Sequence, residues 1–439
     1  MNVDSVIAAR WIIPVEPNDQ VYENHALVIN EGHIHDLLPI DQVEKKYQAF
    51  NYHQLNDHAL IPGLINSHTH AAMSLFRGLA DDLPLMDWLN DHIWPAENRW
   101  VDPAFVEDGT KLAIAEMIRG GTTCFNDMYF FPDRTATIAI EAGIRANIGL
   151  IVIDFPTVWA NDTQEYFEKG EQVHDNFRHN PLIKTTFAPH APYTVSDEPL
   201  EKIAILAEEL DIPIQMHIHE TEEEVNNNLE QHGITPLQRL HELGLLSQRL
   251  QAVHMTQLDQ EAIELIARYN VNIIHCPESN LKLANGFCPV HELQQAGVNV
   301  SLGTDGAASN NDLDMLGEMR TAAFIGKGIS RNSKALSAFT LLKMATINAA
   351  KAMDLDKITG SLSIGKEADI TAIDLSGIET QPVYNPISQI VYAAGREQVT
   401  NVWVAGKQLL KDRELMTVDE SQIAHSAKLW GEKISSSGN

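Results

Sequence analysis

Hydrophobic positions divide this chain into two β-rich ends and a long middle part with a different rhythm. Over residues 6–60 short apolar segments alternate with turn material, and NEG at residues 30–32 predicts a hairpin turn. A similar pattern returns over residues 366–410, in ADITAIDL and VTNVWVAGKQLL. Because the strands at the two ends have similar lengths, we expect residues 1–60 and 361–439 to form one small β-sandwich domain.

Eight short apolar runs occupy the middle part, and each is apolar on both faces, as in a buried parallel strand. Amphipathic segments such as DEPLEKIAILAEEL and DQEAIELIARY lie between most of these runs. Eight strand–helix units in roughly 250 residues are typical of a (β/α)8 TIM barrel, so we predict an α/β barrel domain over residues 61–360. A doubly wound open sheet is the alternative, but no G-x-G-x-x-G follows the first run. The runs are ALIPGLINSHTH, GTTCFNDM, RANIGLIVID, IKTTFAPH, IPIQMHIHE, LQAVHMT, VNIIHCP and VNVSLGTD.

The charge of the chain excludes several classes of partner. Its 31 basic and 60 acidic residues give a formal net charge of −29. An acidic surface repels phosphate backbones and anionic lipids, so we expect neither nucleic-acid nor membrane binding. The N-terminus lacks the basic region of a signal peptide, and the three cysteines are widely spaced, which predicts a cytoplasmic protein. We expect a homo-oligomer such as a dimer, because symmetric dimers are the commonest oligomers of soluble proteins.

Polar side chains collect at the ends of the predicted strands, where the catalytic groups of a barrel belong. Residues i and i+2 of a strand share a face, so His68 and His70 after the first run can bind one cation together. His217 after the fifth run and Asp305 after the eighth complete a set of three imidazoles and one carboxylate, which suits Zn²⁺ or another divalent transition ion. Taken singly these signals are weak, since the chain has 19 histidines and Asp305 also fits a turn.

Hydrolysis at such a centre needs side chains that move protons. Glu220 follows His217 at the point where the chain leaves the strand, and His254 ends the sixth run, so both are candidates. Helix-start charge is the alternative role for Glu220, and a hydrogen-bonded core position is the alternative for His254. The zinc signatures H-E-x-x-H and P-C-x-x-C are absent from the sequence, which excludes two other classes of zinc hydrolase.

Six segments of the chain resemble the amidohydrolase superfamily, and more narrowly its 5-methylthioadenosine/S-adenosylhomocysteine deaminase branch. They are PGLINSHTHAAMSLFRG, TFAPHAPYTVS, MHIHETEEEV, AVHMTQLD, HCPESNLKL and LGTDGAASNN. The similarity extends from the N-terminal sheet to SLSIGKEADI and beyond, so it covers nearly the whole chain. The ordered set is specific to the superfamily and less specific among the purine, pteridine and triazine relatives of the branch.

This resemblance implies a role for each candidate residue. Glu220 would protonate the purine ring nitrogen, Asp305 would pass the water's proton to departing ammonia, and His254 would orient the attacking hydroxide. Glu97, in Trp94-Pro95-Ala96-Glu97, would bind the ribose hydroxyls, although a solvated helix-start glutamate is its alternative role. His190 would contact the base, and because it stands where binuclear relatives have a carboxylated lysine, one metal ion is expected. The implied ligands are His68, His70, His217 and Asp305.

The function that follows is zinc-dependent hydrolytic deamination of an adenine nucleoside to the inosine analogue and ammonia. The expected substrate is 5′-methylthioadenosine, with S-adenosylhomocysteine as a further candidate. Other aminoheterocycles, of the guanine, 8-oxoguanine, pteridine or triazine type, are the alternative substrates, and Glu97 argues against them because a free base has no ribose. A non-catalytic metal-binding scaffold is the other alternative, and it would need neither Glu220 nor His254.

The loop over residues 155–162 predicts a preference between the two nucleosides. It contains neither arginine nor lysine, whereas Phe155 and Trp159 suit an apolar thioether group. Because a tail carboxylate is best bound by arginine, we expect methylthioadenosine to be the better substrate. Arg145 begins the third run and should lie at the far end of the barrel, which leaves Arg178 as the alternative partner for a carboxylate.

Overall fold

The strands of residues 1–436, the part of the chain that this computed structural model describes, form two separate sheets of eight strands each. The strands of the first sheet are β1 (Asn2–Ile12), β2 (Tyr22–Asn30), β3 (His33–Pro39), β4 (Gln48–Pro62), β13 (Ile370–Asp374), β14 (Val399–Val404), β15 (Lys407–Lys411) and β16 (Glu414–Leu415). The strands of the second sheet are β5 (Leu64–Thr69), β6 (Thr122–Asp127), β7 (Arg145–Val152), β8 (Ile183–Pro189), β9 (Ile214–Ile218), β10 (Leu250–His254), β11 (Asn272–His275) and β12 (Val300–Leu302).

Helices connect these strands and cover the second sheet. The α-helices are α1 (Ile40–Lys46), α2 (Leu85–Asp87), α3 (Trp94–Trp100), α4 (Pro103–Arg119), α5 (Pro132–Ala142), α6 (Thr163–Phe177), α7 (Asp197–Leu210), α8 (Glu222–His232), α9 (Pro236–Glu242), α10 (Gln260–Tyr269), α11 (Pro277–Lys282), α12 (Val290–Gln295), α13 (Met315–Ser330), α14 (Ala338–Met344), α15 (Ile347–Ala352), α16 (Pro386–Tyr392) and α17 (Glu420–Ser436). The segments Ala71–Phe76 and Arg396–Gln398 are 3₁₀-helical, and Trp88–Ile93 is a π-helical turn between α2 and α3. None of the helices in the described residues is long and apolar enough to cross a membrane.

The second sheet is a parallel, nearly closed barrel, and each of the eight predicted apolar runs forms one of its strands in sequential order. At the seam between β12 and β5, the backbone N–H of Asp305 donates to the carbonyl of His68 at 3.0 Å. Gly303 permits this close approach, because a Cβ at that position would lie 2.8 Å from the His68 nitrogen. The predicted (β/α)8 barrel is therefore confirmed.

The barrel helices form for the reason that the sequence pattern indicated. The segment DEPLEKIAILAEEL becomes α7, which buries Leu200, Ile203 and Ala207 along one stripe. These positions are three and four residues apart, the spacing of one helical face, so a single side of α7 packs against the barrel.

The first sheet combines both ends of the chain, as predicted. Its strands are joined in the order β16-β15-β14-β13-β4-β1-β2-β3, so β4 pairs with strands from either end. The sheet folds back on itself: Ile34 donates its N–H to Lys366 at 2.8 Å, and Ala368 donates to Gly32 at 2.8 Å. This fold-over encloses a separate apolar core that includes Trp403, which makes the unit sandwich-like although its strands form one continuous sheet.

Charged contacts connect the first sheet to the barrel. Arg145, at the start of β7, is buried and its guanidinium lies 3.0 Å from Asp369 and 2.7 Å from Glu367. Near the C-terminus, the Trp430 indole of α17 donates to Asp108 of α4 at 3.0 Å. Residues 361–436 therefore supply strands to the sheet and also a helix to the barrel surface, while residues 437–439 of the predicted β domain lie outside the described part of the chain.

Candidate metal centre and active site

The four predicted ligands converge at the carboxyl ends of the barrel strands. His68 and His70 come from the end of β5, His217 from β9, and Asp305 from the turn after β12. Their ligand atoms lie within 4.8 Å of one another, with 3.1 Å between the Nε2 atoms of His68 and His217. Asp305 Oδ1 is 3.4 Å from His68 Nε2 and 3.2 Å from His70 Nε2. Ligands at roughly 2.0–2.2 Å from a tetrahedral zinc ion are themselves roughly 3.3–3.6 Å apart, so this spacing fits one ion.

Each of the three histidines is held by a hydrogen bond at Nδ1. The acceptors are the Gln215 side chain for His68 at 2.5 Å, the Met128 carbonyl for His70 at 2.5 Å, and the His190 carbonyl for His217 at 2.9 Å. A histidine that donates from Nδ1 keeps the lone pair of Nε2 for a metal. All three Nε2 atoms are consequently available at the same point.

The centre requires positive charge. Burial alone would lower the pKa of His70, but a hydrogen bond to Asp305 and attraction by its carboxylate raise that pKa to about 9. Burial would likewise raise the pKa of Asp305, yet the hydrogen bonds from His68 and His70 hold it well below its ordinary value. The Asp305 carboxylate is therefore ionised. The cluster balances this negative charge with a proton, or with a metal cation that replaces the proton.

A chain of side-chain amides supports the buried ligand His68 from inside the barrel. Gln215 accepts from His68 and donates to Asn126 at 3.3 Å; Asn126 donates to Gln251 at 2.7 Å. Gln251 in turn donates to the Ala352 carbonyl at 2.9 Å. Sequence reasoning missed this chain, although Gln215 precedes His217 by two residues and so shares its strand face.

Glu220 and His254 stand beside the metal centre in one buried cavity. The Glu220 carboxyl accepts from the Asn285 amide at 2.9 Å and lies 3.7 Å from His254 Nε2. Burial, together with the Asp305 charge, raises the pKa of Glu220 to about 8, so its carboxyl is a proton donor at neutral pH. Burial lowers the pKa of His254, whose Nδ1 faces the Asn280 carbonyl oxygen at 2.8 Å.

Two serine hydroxyls fix the remaining oxygen of Asp305. Ser279 donates to Asp305 Oδ2 at 2.7 Å and Ser309 donates to the same atom at 2.8 Å. Since Oδ2 is occupied in this way, Oδ1 is the oxygen that faces the ligand nitrogens. The sequence pattern singles out neither serine, although Ser279 lies within the quoted segment HCPESNLKL and Ser309 within LGTDGAASNN.

A cavity of about 210 Å³ extends from the metal centre to the helical stretch from α2 to α3. Glu97 of α3 lines it and is 9% exposed; burial, partly offset by the neighbouring Tyr129 hydroxyl, raises its pKa to about 7. His190 lines the cavity beside His217, with Nδ1 held 3.1 Å from the Thr194 hydroxyl. Burial and the neighbouring imidazoles lower the pKa of His190 to about 3, so its ring is neutral. The structure thus brings Glu97 and His190 into the cavity that contains Glu220 and His254.

The far wall of the cavity is apolar. Neither lysine nor arginine is present among the described residues that line it. Phe155 and Val158 of the loop after β7 belong to this wall, together with Trp88, Trp94 and Phe130. Trp159, which the sequence suggested as part of the apolar cap, is not a lining residue. Its ring packs against that of Phe131 instead, with 5.1 Å between the ring centroids.

Known proteins are similar to this chain along almost its whole length. The sequence profile of the amidohydrolase family matches residues 59–409. A 5-methylthioadenosine/S-adenosylhomocysteine deaminase from Saccharophagus degradans is 54% identical, with 98% of this chain and 97% of the relative covered. A 5′-deoxyadenosine deaminase from Methanopyrus kandleri is 39% identical, with 97% and 98% covered.

The solved structures agree with the sequence relatives. An adenosine deaminase from Xanthomonas campestris, crystallised with bound zinc, superposes with a TM-score of 0.98 at 49% identity and 99% coverage of both chains. A guanine deaminase from C. acetobutylicum, at 21% identity and a TM-score of 0.81 over 92% of this chain and 99% of the other, shows the shared fold alone. The resemblance noted in the six sequence segments is confirmed, and this chain belongs to the amidohydrolase family.

Proposed function

We propose that this protein is a zinc-dependent hydrolase that deaminates adenine nucleosides, releasing ammonia and the inosine analogue. The observation that supports it best is one cavity that combines a four-ligand centre, a protonated carboxyl at Glu220 and a buried carboxyl at Glu97. The named proteins that are at least 39% identical are deaminases of methylthioadenosine, S-adenosylhomocysteine, 5′-deoxyadenosine and adenosine, and they match almost the whole chain. We assign 5′-methylthioadenosine as the preferred substrate.

His68, His70, His217 and Asp305 are the ligands in this proposal, and one ion per chain satisfies them. Three neutral imidazoles and one carboxylate are a donor set that suits zinc. A zinc ion held by these residues would supply Lewis acidity and activate water for attack. The proton that would otherwise sit on His70 leaves when a cation binds, because a ligand histidine must be neutral.

Three side chains handle the attacking water and the protons around the adenine ring. Glu220, protonated in its buried position, donates to ring nitrogen N1 as water adds to C6, so no negative charge builds up on the ring. His254 accepts a hydrogen bond from the attacking water at Nε2 and so directs it to the ring. Asp305 takes one proton of the water at Oδ1 and delivers it to the amino group, which leaves as ammonia. The second water proton leaves the C6 oxygen as the carbonyl forms and returns to Glu220, which restores the acid.

Glu97 and His190 recognise the nucleoside. An ionised Glu97 accepts hydrogen bonds from the two vicinal ribose hydroxyls, a bidentate pattern that a free base cannot offer. His190 is neutral and held at Nδ1, so its Nε2 is free to contact the substrate. The apolar wall around Phe155 and Val158 remains for the 5′ substituent.

The test is ammonia release by the purified zinc-loaded protein from adenosine, 5′-methylthioadenosine, 5′-deoxyadenosine, S-adenosylhomocysteine, guanine and 8-oxoguanine. We expect turnover of the nucleosides and none of the free bases. Glu97→Gln should reduce kcat/KM for the ribonucleosides, and Glu220→Gln serves as the inactive control. Turnover of guanine or 8-oxoguanine in preference to every nucleoside would contradict the proposal.

Three further features belong to the same proposal. We infer a division into a barrel domain (61–360) and a β domain (1–60 with 361–439), since the folded first sheet encloses an apolar core of its own, although other residues of that sheet pack into the barrel core. The net charge of −29 supports a small-molecule substrate rather than a nucleic acid. Cytoplasmic location and self-association stay predictions from the sequence.

A further inference from the structure

We propose that one segment after β11, residues 280–285, positions two of the three proton-handling side chains, Glu220 and His254, through two asparagines that act by opposite atoms. Asn280 holds His254 by its carbonyl oxygen, and Asn285 holds Glu220 by its amide nitrogen. The inference rests on the proposed function, because it assigns the support of groups whose chemistry that function defines. Neither asparagine lines the cavity, so both are positioning residues.

Asn280 fixes the tautomer of His254. Its Oδ1 lies 2.8 Å from His254 Nδ1, whereas its Nδ2 is buried without a hydrogen-bond partner among the described residues. A carbonyl oxygen only accepts hydrogen bonds, so Nδ1 carries the proton and Nε2 presents a lone pair to the cavity. This placement costs backbone strain, because His254 has a φ of 74°, in the left-handed region that residues other than glycine rarely adopt.

Asn285 fixes the orientation of the Glu220 carboxyl. Its Nδ2 donates to Glu220 Oε1 at 2.9 Å, and its backbone carbonyl accepts from the Gln257 side-chain amide at 2.8 Å. Because Oε1 accepts this hydrogen bond, the proton of the neutral carboxyl occupies Oε2. The acid is therefore presented to the substrate from one defined oxygen.

The two asparagines form one unit. The backbone N–H of Asn285 donates to the carbonyl of Asn280 at 2.9 Å, which closes the segment into a turn. Asn280 is 2% exposed and Asn285 is 7% exposed, so water does not compete for either contact. Ser279, the preceding residue, donates to Asp305, so one stretch of chain contacts all three proton-handling residues.

The test uses the same isosteric change at both positions. In Asn280→Asp the carboxylate still accepts from His254 Nδ1, so kcat should stay within about threefold of the wild-type value. In Asn285→Asp the donor to Glu220 is lost, and kcat should fall about 10- to 100-fold, the usual effect of removing such a supporting partner. Asn280→Leu, which removes the acceptor, should show the same 10- to 100-fold loss. KM for methylthioadenosine and zinc per chain should be unchanged in all three variants.

Controls separate positioning from folding and from added charge. Asn176→Asp, on the exposed face of α6, adds the same charge and should leave kcat unchanged. Equal losses in Asn280→Asp and Asn285→Asp, or near wild-type kcat in both, would overturn the inference, and so would loss of zinc in either.

A second measurement is independent of turnover. The ¹⁵N shifts of the His254 imidazole, assigned by comparison with His254→Asn, should show protonated Nδ1 in the wild type and in Asn280→Asp but not in Asn280→Leu. A protonated Nε2 in the wild type would overturn the inference even if the enzyme is active. A wild-type protein with protonated Nδ1 that deaminates none of the nucleosides would refute the proposed function alone.

Discussion

Lengthening the 5′ substituent from methylthio to homocysteinyl is the perturbation for which the structure makes its clearest quantitative prediction. The tail of S-adenosylhomocysteine carries a carboxylate beside its ammonium group, and the described residues that line the cavity include the acidic Glu97, Glu220 and Asp305 but neither lysine nor arginine. A charge-assisted hydrogen bond to a carboxylate contributes roughly 1.5–3 kcal/mol, and each 1.4 kcal/mol is about tenfold. Without such a partner, kcat/KM should favour methylthioadenosine by about ten- to hundredfold.

Three basic side chains come into question as partners for the tail carboxylate, and each of them is paired or placed elsewhere. Arg145 is 1% exposed and bound to Asp369 and Glu367 at the amino end of the barrel. Arg178, the alternative that the sequence left open, follows the C-terminus of α6 and therefore lies at that same far end. Lys169 of α6 lies against the loop after β7, where it packs 4.7 Å from the centre of the Trp159 ring and pairs with Glu165 at 2.7 Å.

The assay is the initial rate of deamination of both nucleosides by one enzyme preparation, compared as kcat/KM. Val158→Arg, which places a guanidinium on the apolar wall, should narrow the ratio by about tenfold. Val158→Met, of similar length without the charge, should leave the ratio unchanged. Equal or reversed efficiencies for the wild-type enzyme would refute the reasoning, and so would equal effects of the arginine and methionine variants.

Three further predictions concern the centre itself. Glu220→Gln and His254→Asn should keep close to one zinc per chain and lose roughly 10²–10⁴-fold in kcat; near wild-type turnover by either variant would remove that residue from the mechanism. Gln215→Met should weaken zinc binding about 10- to 100-fold in chelator competition, because His68 Nδ1 loses its acceptor, whereas unchanged affinity would show that the amide chain does not support the ligand. The pH profile of kcat/KM should have two limbs. It should decline below about pH 7, where Glu97 becomes protonated. It should also decline on the alkaline side, with a midpoint at or below about pH 8, where Glu220 loses the proton that it donates, because a bound cation favours that loss. Glu97→Gln should abolish the acid limb only, and a limb that persists in this variant belongs to another group.

The barrel could be predicted from the sequence because burial on both faces leaves a direct mark. A strand covered by helices must be apolar throughout, so all eight runs were visible, and their order followed from sequential βα units. The ligand pair His68 and His70 was visible for a similar reason, since strand alternation places both on one face. Asp305 and His217 then followed from the rule that the carboxyl ends of parallel strands share one rim.

The support of the site could not be predicted, because it depends on contacts that no local pattern records. Gln215 reaches His68 across the barrel, and Asn285 reaches Glu220 from another strand's loop. Trp159 is a further example: the composition of its loop suggested an apolar cap over the cavity, but its ring packs against Phe131 instead. The single folded sheet was also hidden, because β4 pairs with β1 from one end of the chain and with β13 from the other.

Barrel closure and assembly of the metal centre depend on the same seam between β12 and β5. Gly303 allows the turn after β12 to approach His68, and the backbone contact from Asp305 to the His68 carbonyl completes the closure. Thr69 adds a hydroxyl contact to the carbonyl of Asp305 at 2.9 Å, between the two histidine ligands. The hydrogen bond that joins the first and last strands of the barrel, which are the farthest apart along the chain, thus also brings the carboxylate and the imidazoles together. The centre can form only when the barrel closes, which explains why its ligands come from the first, fifth and eighth strands yet lie within one ion's reach.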